Sequence, residues 1–120
     1  MVCVLIVEDD TLLRNMTARL LEHSGYSAVV AGSAAQALAV ATARTDINVA
    51  LIDMVLPDMS GLDLAAEIRR LAPAVSIAFM SGFTGDHFKR PVSEPCVTKP
   101  FTLEALTRAV EDALGHRPPT

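Results

Sequence analysis

The chain opens on a short unbroken apolar run, Val2 to Val7, that stops abruptly at Glu8, Asp9 and Asp10. A run of this length without alternation is what a strand covered on both faces of a parallel sheet requires. The period then changes. Apolar residues recur at Leu13, Met16, Leu20 and Leu21, with Arg14, Asn15, Arg19 and Glu22 between them, as far as Gly25. That spacing predicts an amphipathic helix with these apolar residues on its inner face. Ser27 to Ala31 reads as a second strand, and Ser33 with Gln36 forms a capping box that opens an alanine-rich helix through Ala43. Val49 to Ile52 is a third strand ending at Asp53, and the loop through Pro57, Ser60 and Gly61 leads into a helix from Leu62 to Leu71, closed by Pro73. Val75 to Met80 predicts a fourth strand, Cys96 to Thr98 a short fifth, and Thr102 caps a last helix that runs to Gly115.

Strands that alternate with helices, without the turn signals of tight hairpins, call for an α/β fold with a parallel sheet, crossover connections and helices on both faces. The stretch between the fourth and fifth strands carries Gly82, Gly85, Pro91 and Pro95. It leaves room for only a turn or two of helix there, so the fourth helix is expected to be reduced or irregular. A length of 120 residues fits one domain. That domain is expected over residues 1–115, with 116–120 as a frayed tail.

Composition narrows the function classes. With 51% hydrophobic and 20% charged residues the chain is a folded one, with an aliphatic core. A net charge of -4 and the lack of any long Lys/Arg run argue against a nucleic-acid partner. No apolar run approaches the roughly 18 residues that span a bilayer, and the first residues lack the features of a signal peptide, so no membrane partner and a cytoplasmic location are expected. Cys3 and Cys96 stand alone, with neither zinc-ligand spacing nor a disulfide framework. Both are expected to be buried, reduced thiols.

In open parallel sheets the functional crevice lies beyond the carboxyl ends of the strands. Glu8 and Asp9 end the first strand, Asp53 the third and Ser81 the fourth, and Lys99 follows the fifth. Carboxylates brought within about 4 Å repel by a few kcal/mol per pair even at an effective dielectric near 20. A cation must therefore sit among them. Magnesium, a hard ion that takes one or two carboxylates, waters and a substrate phosphate, answers that need, and Lys99 adds a fixed positive charge. Phosphoryl transfer asks a protein mainly for positioning and for neutralising the phosphoryl oxygens, with Asp53 as the nucleophile.

The segments Leu5-Ile6-Val7-Glu8-Asp9-Asp10, Leu51-Ile52-Asp53-Met54-Val55-Leu56-Pro57-Asp58-Met59-Ser60-Gly61, Met80-Ser81-Gly82 and Thr98-Lys99-Pro100-Phe101 resemble the signatures of response-regulator receiver domains, in order and over essentially the whole chain. The resemblance implies a flavodoxin-like doubly wound sheet of five strands in the order 2-1-3-4-5. It also implies that Asp53 is the phosphoacceptor, and that Glu8, Asp9, Asp53 and the backbone carbonyl of Val55 hold Mg2+. Ser81 and Lys99 then bind the phosphoryl oxygens, and Lys99-Pro100 is a cis peptide. The implied partners are a histidine kinase or histidine phosphotransfer protein and a downstream protein target. Such a domain is a switch rather than an enzyme, although it promotes its own phosphorylation and a slow self-dephosphorylation.

Two departures stand out. Cys96 occupies a place where many receivers carry an aromatic switch residue, and the Pro-broken segment from Phe83 to Pro95 resembles subfamilies with a degenerate fourth helix. The chain stops soon after its last helix, which is expected of a stand-alone receiver or of one excised from a hybrid histidine kinase. Other classes fit less well. A magnesium-dependent phosphohydrolase needs an acid two residues after its aspartyl nucleophile, where Val55 stands. A nucleotide-binding domain needs a Gly-rich loop that no predicted strand precedes. A pseudo-receiver that works only as a binding module would have no use for Asp9, Asp53, Ser81 and Lys99 together. Asp10 is as well explained by the positive end of the helix that follows it as by a metal. Val55 and Phe83, two residues after the phosphoacceptor and two after Ser81, are expected to exclude water from the phosphorylated site and prolong its lifetime.

Overall fold

The computed structural model describes residues 1–82 and 93–115. Among them are five strands, β1 (Cys3–Val7), β2 (Ser27–Ala31), β3 (Val49–Asp53), β4 (Ser76–Ser81) and β5 (Cys96–Thr98), and four helices, α1 (Thr11–His23), α2 (Ala34–Ala43), α3 (Gly61–Leu71) and α4 (Leu103–Gly115). The strands are parallel and lie in the order β2-β1-β3-β4-β5, as expected. The irregular helix expected between Phe83 and Pro95 falls mainly on residues 83–92, outside the described residues, as does the tail at 116–120.

The unbroken apolar strands are fully covered, and alternation divides their side chains between two cores. Cys3, Leu5, Val7, Ala50 and Ile52 face one side, where Ala34 and Ala37 of α2 and Leu64, Ala65 and Ile68 of α3 pack on them. Val4, Ile6, Val49 and Leu51 face the other, against Leu21 of α1 and Leu106, Ala109, Val110 and Ala113 of α4. This double covering is the reason the strands read as continuous rather than alternating.

The helix starts follow the side chains that cap them. The hydroxyl of Ser33 accepts from the Gln36 amide, Ser60 from Asp63 and Thr102 from Ala105. Gln36 reaches back to the Gly32 amide, one residue before the cap itself. At the other end of α1, Gly25 takes φ +95, a left-handed conformation that ends the helix at little steric cost.

Two expectations are corrected. Met16 is not part of the core; it is 51% exposed, and Thr17 is buried in its place. Thr17 can occupy an apolar environment because its hydroxyl donates to the Leu13 carbonyl within the helix, leaving no polar group unsatisfied. Cys3 is buried as expected, but Cys96 is exposed. It lies on the short edge strand β5, where alternation buries Val97 and turns both of its neighbours outward.

Candidate functional site

Parallel pairing in this register places the carboxyl ends of β1, β3, β4 and β5 along one edge of the sheet. Glu8, immediately after β1, is 1% exposed, and Asp53, the last residue of β3, is 6% exposed. Lys99 follows β5, and its amide donates to the Ser81 carbonyl at 2.8 Å, which anchors it beside the end of β4. Its Nζ donates to Glu8 Oε1 at 2.5 Å and to Asp53 Oδ2 at 2.8 Å. The cation required between the carboxylates is therefore, in part, Lys99 itself. The Lys99-Pro100 peptide is cis, as the resemblance implied.

The other oxygens are held by backbone. Asp53 Oδ1 accepts from the Val55 amide at 3.1 Å, and Glu8 Oε2 from the Asp10 amide at 3.2 Å. Burial pushes the Glu8 carboxyl up to about 7, against the opposing pull of Lys99, and the nearby Asp53 charge adds to the rise. Burial acts to lower the Lys99 ammonium, but its pairing with Asp53 and Glu8 outweighs this and leaves it above the ordinary lysine range.

Glu8, Asp9 and Asp53 each offer a carboxylate oxygen, and these atoms lie within 4.8 Å of one another. An all-oxygen set of this kind, open on the exposed Asp9 side, fits a hard divalent cation. Asp10 is outside that group and caps α1, accepting from the Leu13 amide at 3.0 Å, so the helix-end explanation of this residue is the one observed. Ser81 is buried at the end of β4, with Cys96 Sγ at 3.9 Å from its hydroxyl. The Val55 side chain is 53% exposed beside Asp53. Phe83, expected to act with Val55, lies outside the described residues.

The backbone at Asp53 is held from below by Gly61. A Cβ on Gly61 would lie 2.3 Å from the Asp53 carbonyl oxygen and 2.8 Å from Met54 Cα. The Gly61 amide donates to the Met54 carbonyl at 2.8 Å, and the Met54 amide to Met80 at 2.9 Å. Sequence reasoning missed two residues that support the site. Arg14 donates from Nη1 to the Glu8 carbonyl at 3.0 Å, which its place on the first turns of α1 permits but does not announce. Asp58 accepts from the amides of Ala34 and Ala35 at 2.9 and 3.0 Å, a pairing between a loop and a helix distant in sequence.

Comparison with known proteins agrees with this architecture. Residues 4–111 match the family model of the response regulator receiver domain. The chain is 31% identical over 116 residues to the sensor kinase CckA of Brucella abortus, covering 92% of this chain and 12% of that protein. It is 28% identical over 115 residues to the response regulator receiver protein CpdR of Brucella abortus, covering 92% of this chain and 95% of that one. It spans less than half of several other curated relatives. A solved CheY-like receiver domain from Methylobacillus flagellatus superposes with a TM-score of 0.84 at 28% identity, over 92% of this chain and 97% of that one. No helix among the described residues is long and apolar enough to cross a membrane. Sheet order, the carboxylates gathered around Lys99 and the match over residues 4–111 converge on one conclusion, that this chain belongs to the response regulator receiver domain family of two-component signalling.

Proposed function

We propose that this chain is a cytoplasmic phosphorylation switch. It accepts a phosphoryl group on Asp53 from a histidine kinase or histidine phosphotransfer protein and signals by contact with a downstream protein. The observation that carries the reading is the ammonium of Lys99 held 2.5 Å from Glu8 and 2.8 Å from Asp53, since it joins a buried nucleophile to a fixed cation across three strand ends.

One oxygen of Asp53 attacks phosphorus, the bond from phosphorus to the donor atom breaks, and the donor departs with that electron pair, leaving an acyl phosphate on Asp53. The Val55 amide and Lys99 hold the two Asp53 oxygens and so fix the carboxylate before attack. The Lys99 ammonium and the Ser81 hydroxyl then face the transferred oxygens as charge and hydrogen-bond donor. Glu8, Asp9 and Asp53, with the Val55 carbonyl, would hold Mg2+, which supplies further neutralisation of phosphoryl charge. The domain turns over no separate substrate; its own loss of the phosphoryl group to water is slow, because the Val55 side chain offers no hydrogen bond to an attacking water.

Likeness to a segment of a sensor kinase favours a second reading, a receiver that works within a larger kinase. Both readings share the chemistry, so one experiment tests it. Incubation with acetyl phosphate and MgCl2 should add a single phosphoryl group by intact mass, and Asp53→Asn should abolish it. Unchanged labelling of that variant rejects Asp53 as the acceptor.

A further inference from the structure

The loop between β3 and α3 carries Val55 directly beside Asp53, and its course is fixed at three places. At its base the Met54 amide donates to Met80, and Val55 pairs with Ser60 across the loop as an isolated antiparallel bridge. In between, Leu56 is buried. The tip, Pro57 and Asp58, is exposed. There the Asp58 carboxylate reaches the start of α2, with Oδ1 accepting from Ala34 and Oδ2 from Ala35.

These two amides belong to the first turn of α2, where helical backbone donors have no partner within the helix. Ser33 serves Gln36 and leaves both of them free. The first turn of α2 contains no acidic residue of its own, so the negative charge that its positive end favours comes from the loop. The two amides hold the Asp58 carboxyl below the usual carboxylate range. A bidentate contact of this kind fixes orientation as well as distance.

We infer that Asp58 is a positioning residue for the phosphoryl and metal centre, tying the loop tip to α2 so that Val55 keeps its spacing from Asp53. The inference rests on the reading of Asp53 as phosphoacceptor and on the Val55 carbonyl as a metal ligand. Freed of the tether, the arc from Pro57 to Met59 keeps Leu56, the half-buried Met59 and the Val55–Ser60 bridge but loses its link to α2, and the position of the Val55 peptide relaxes. Residues that orient ligands without touching the metal commonly change its affinity by about tenfold or more.

The test uses MgCl2 alone, titrated into the folded 120-residue chain by calorimetry, with circular dichroism as a check on folding. Asp58→Ala should raise the magnesium Kd about tenfold, and Asp58→Asn, which keeps one acceptor oxygen, should fall between it and wild type. Ser33→Ala is the control, because it removes the neighbouring cap of α2 and leaves the loop tether in place. It should lower the melting temperature yet hold the magnesium Kd within about twofold. Acetyl phosphate labelling of Asp58→Ala at subsaturating magnesium should slow by the same factor and recover at saturation. An unchanged Kd in Asp58→Ala overturns the inference, and so does an equal weakening in Ser33→Ala, which would reduce Asp58 to a helix cap. Wild type that binds magnesium but takes no phosphoryl group removes the acceptor reading while a weakened Kd in Asp58→Ala still supports the tether. Wild type that binds no magnesium overturns both.

Discussion

Replacing Glu8 by Gln probes the buried carboxylate whose ionisation this fold resists. Burial, only partly offset by Lys99, moves the Glu8 carboxyl from 4.5 to about 7. In the unfolded chain the same group ionises near 4.5, so between these values the folded protein holds a proton that the unfolded one has released. The contribution of Glu8 to stability is therefore greatest below pH 4.5, declines as the pH rises towards 7, and is flat above it. At about 1.4 kcal/mol per tenfold change in acidity, ionising Glu8 inside the fold costs roughly 3 kcal/mol. Gln has nearly the same shape and keeps an oxygen for Lys99, but it cannot ionise. In EDTA, Glu8→Gln should lie within about 1 kcal/mol of wild type near pH 5 and exceed it by roughly 3 kcal/mol at pH 8. For a chain of this size that is about 10 °C in Tm. Urea titrations followed by circular dichroism at four values between pH 5 and pH 8 measure the difference, in which every other titrating group largely cancels. Millimolar magnesium should then narrow the gap, because wild type gains the greater binding free energy. A difference that does not vary with pH, or a wild type more stable than the variant at pH 8, refutes the reasoning.

Two further outcomes follow from the same edge of the sheet. Gly61→Ala should destabilise by about 2 to 3 kcal/mol, measured by urea unfolding, since its new methyl meets backbone at Asp53 and Met54 that cannot turn aside as a side chain would; a loss under about 0.5 kcal/mol would show that the loop yields. Val55→Asn should hasten loss of the phosphoryl group severalfold in the presence of magnesium, by placing a hydrogen-bonding group beside Asp53 where an attacking water can be held; equal decay by intact mass would dismiss Val55 as a determinant of lifetime.

Most of the frame was legible in the sequence because its causes are local. The strands β1 and β3 read as unbroken apolar runs because they are buried on both faces, β4 does so from Ile77 to Met80 between Ser76 and Ser81, and α2, α3 and α4 announce themselves by Ser33, Ser60 and Thr102 at their caps. Glu8, Asp9, Asp53 and Lys99 could be placed together because strand ends in a parallel sheet share one edge. What could not be read depends on contacts across the fold. Met16 and Thr17 exchange roles because a hydroxyl satisfied within its own helix is as acceptable in the core as a thioether, so hydropathy alone points to the wrong one. On a strand as short as β5, alternation has too few residues to say which side faces inward, and the apolar character of a lone thiol wrongly suggests that Cys96 is buried. Asp58 has no local signature at all, since its partners belong to a helix that precedes it by more than twenty residues.

The placement of Lys99 just after β5 bears on how the chain matures during synthesis. Residues 1–81 contain everything needed to lay β1, β3 and β4 side by side, including both buried carboxylates, but not the ammonium that reconciles them. A nascent chain at that stage brings like charges together in a partly dry environment, which opposes the closing of its own sheet edge. Arrival of β5 and of Lys99 just after it lifts that opposition and completes the proposed phosphoryl site. A nascent chain that stops short of residue 99 therefore lacks the cation that Asp53 pairs with.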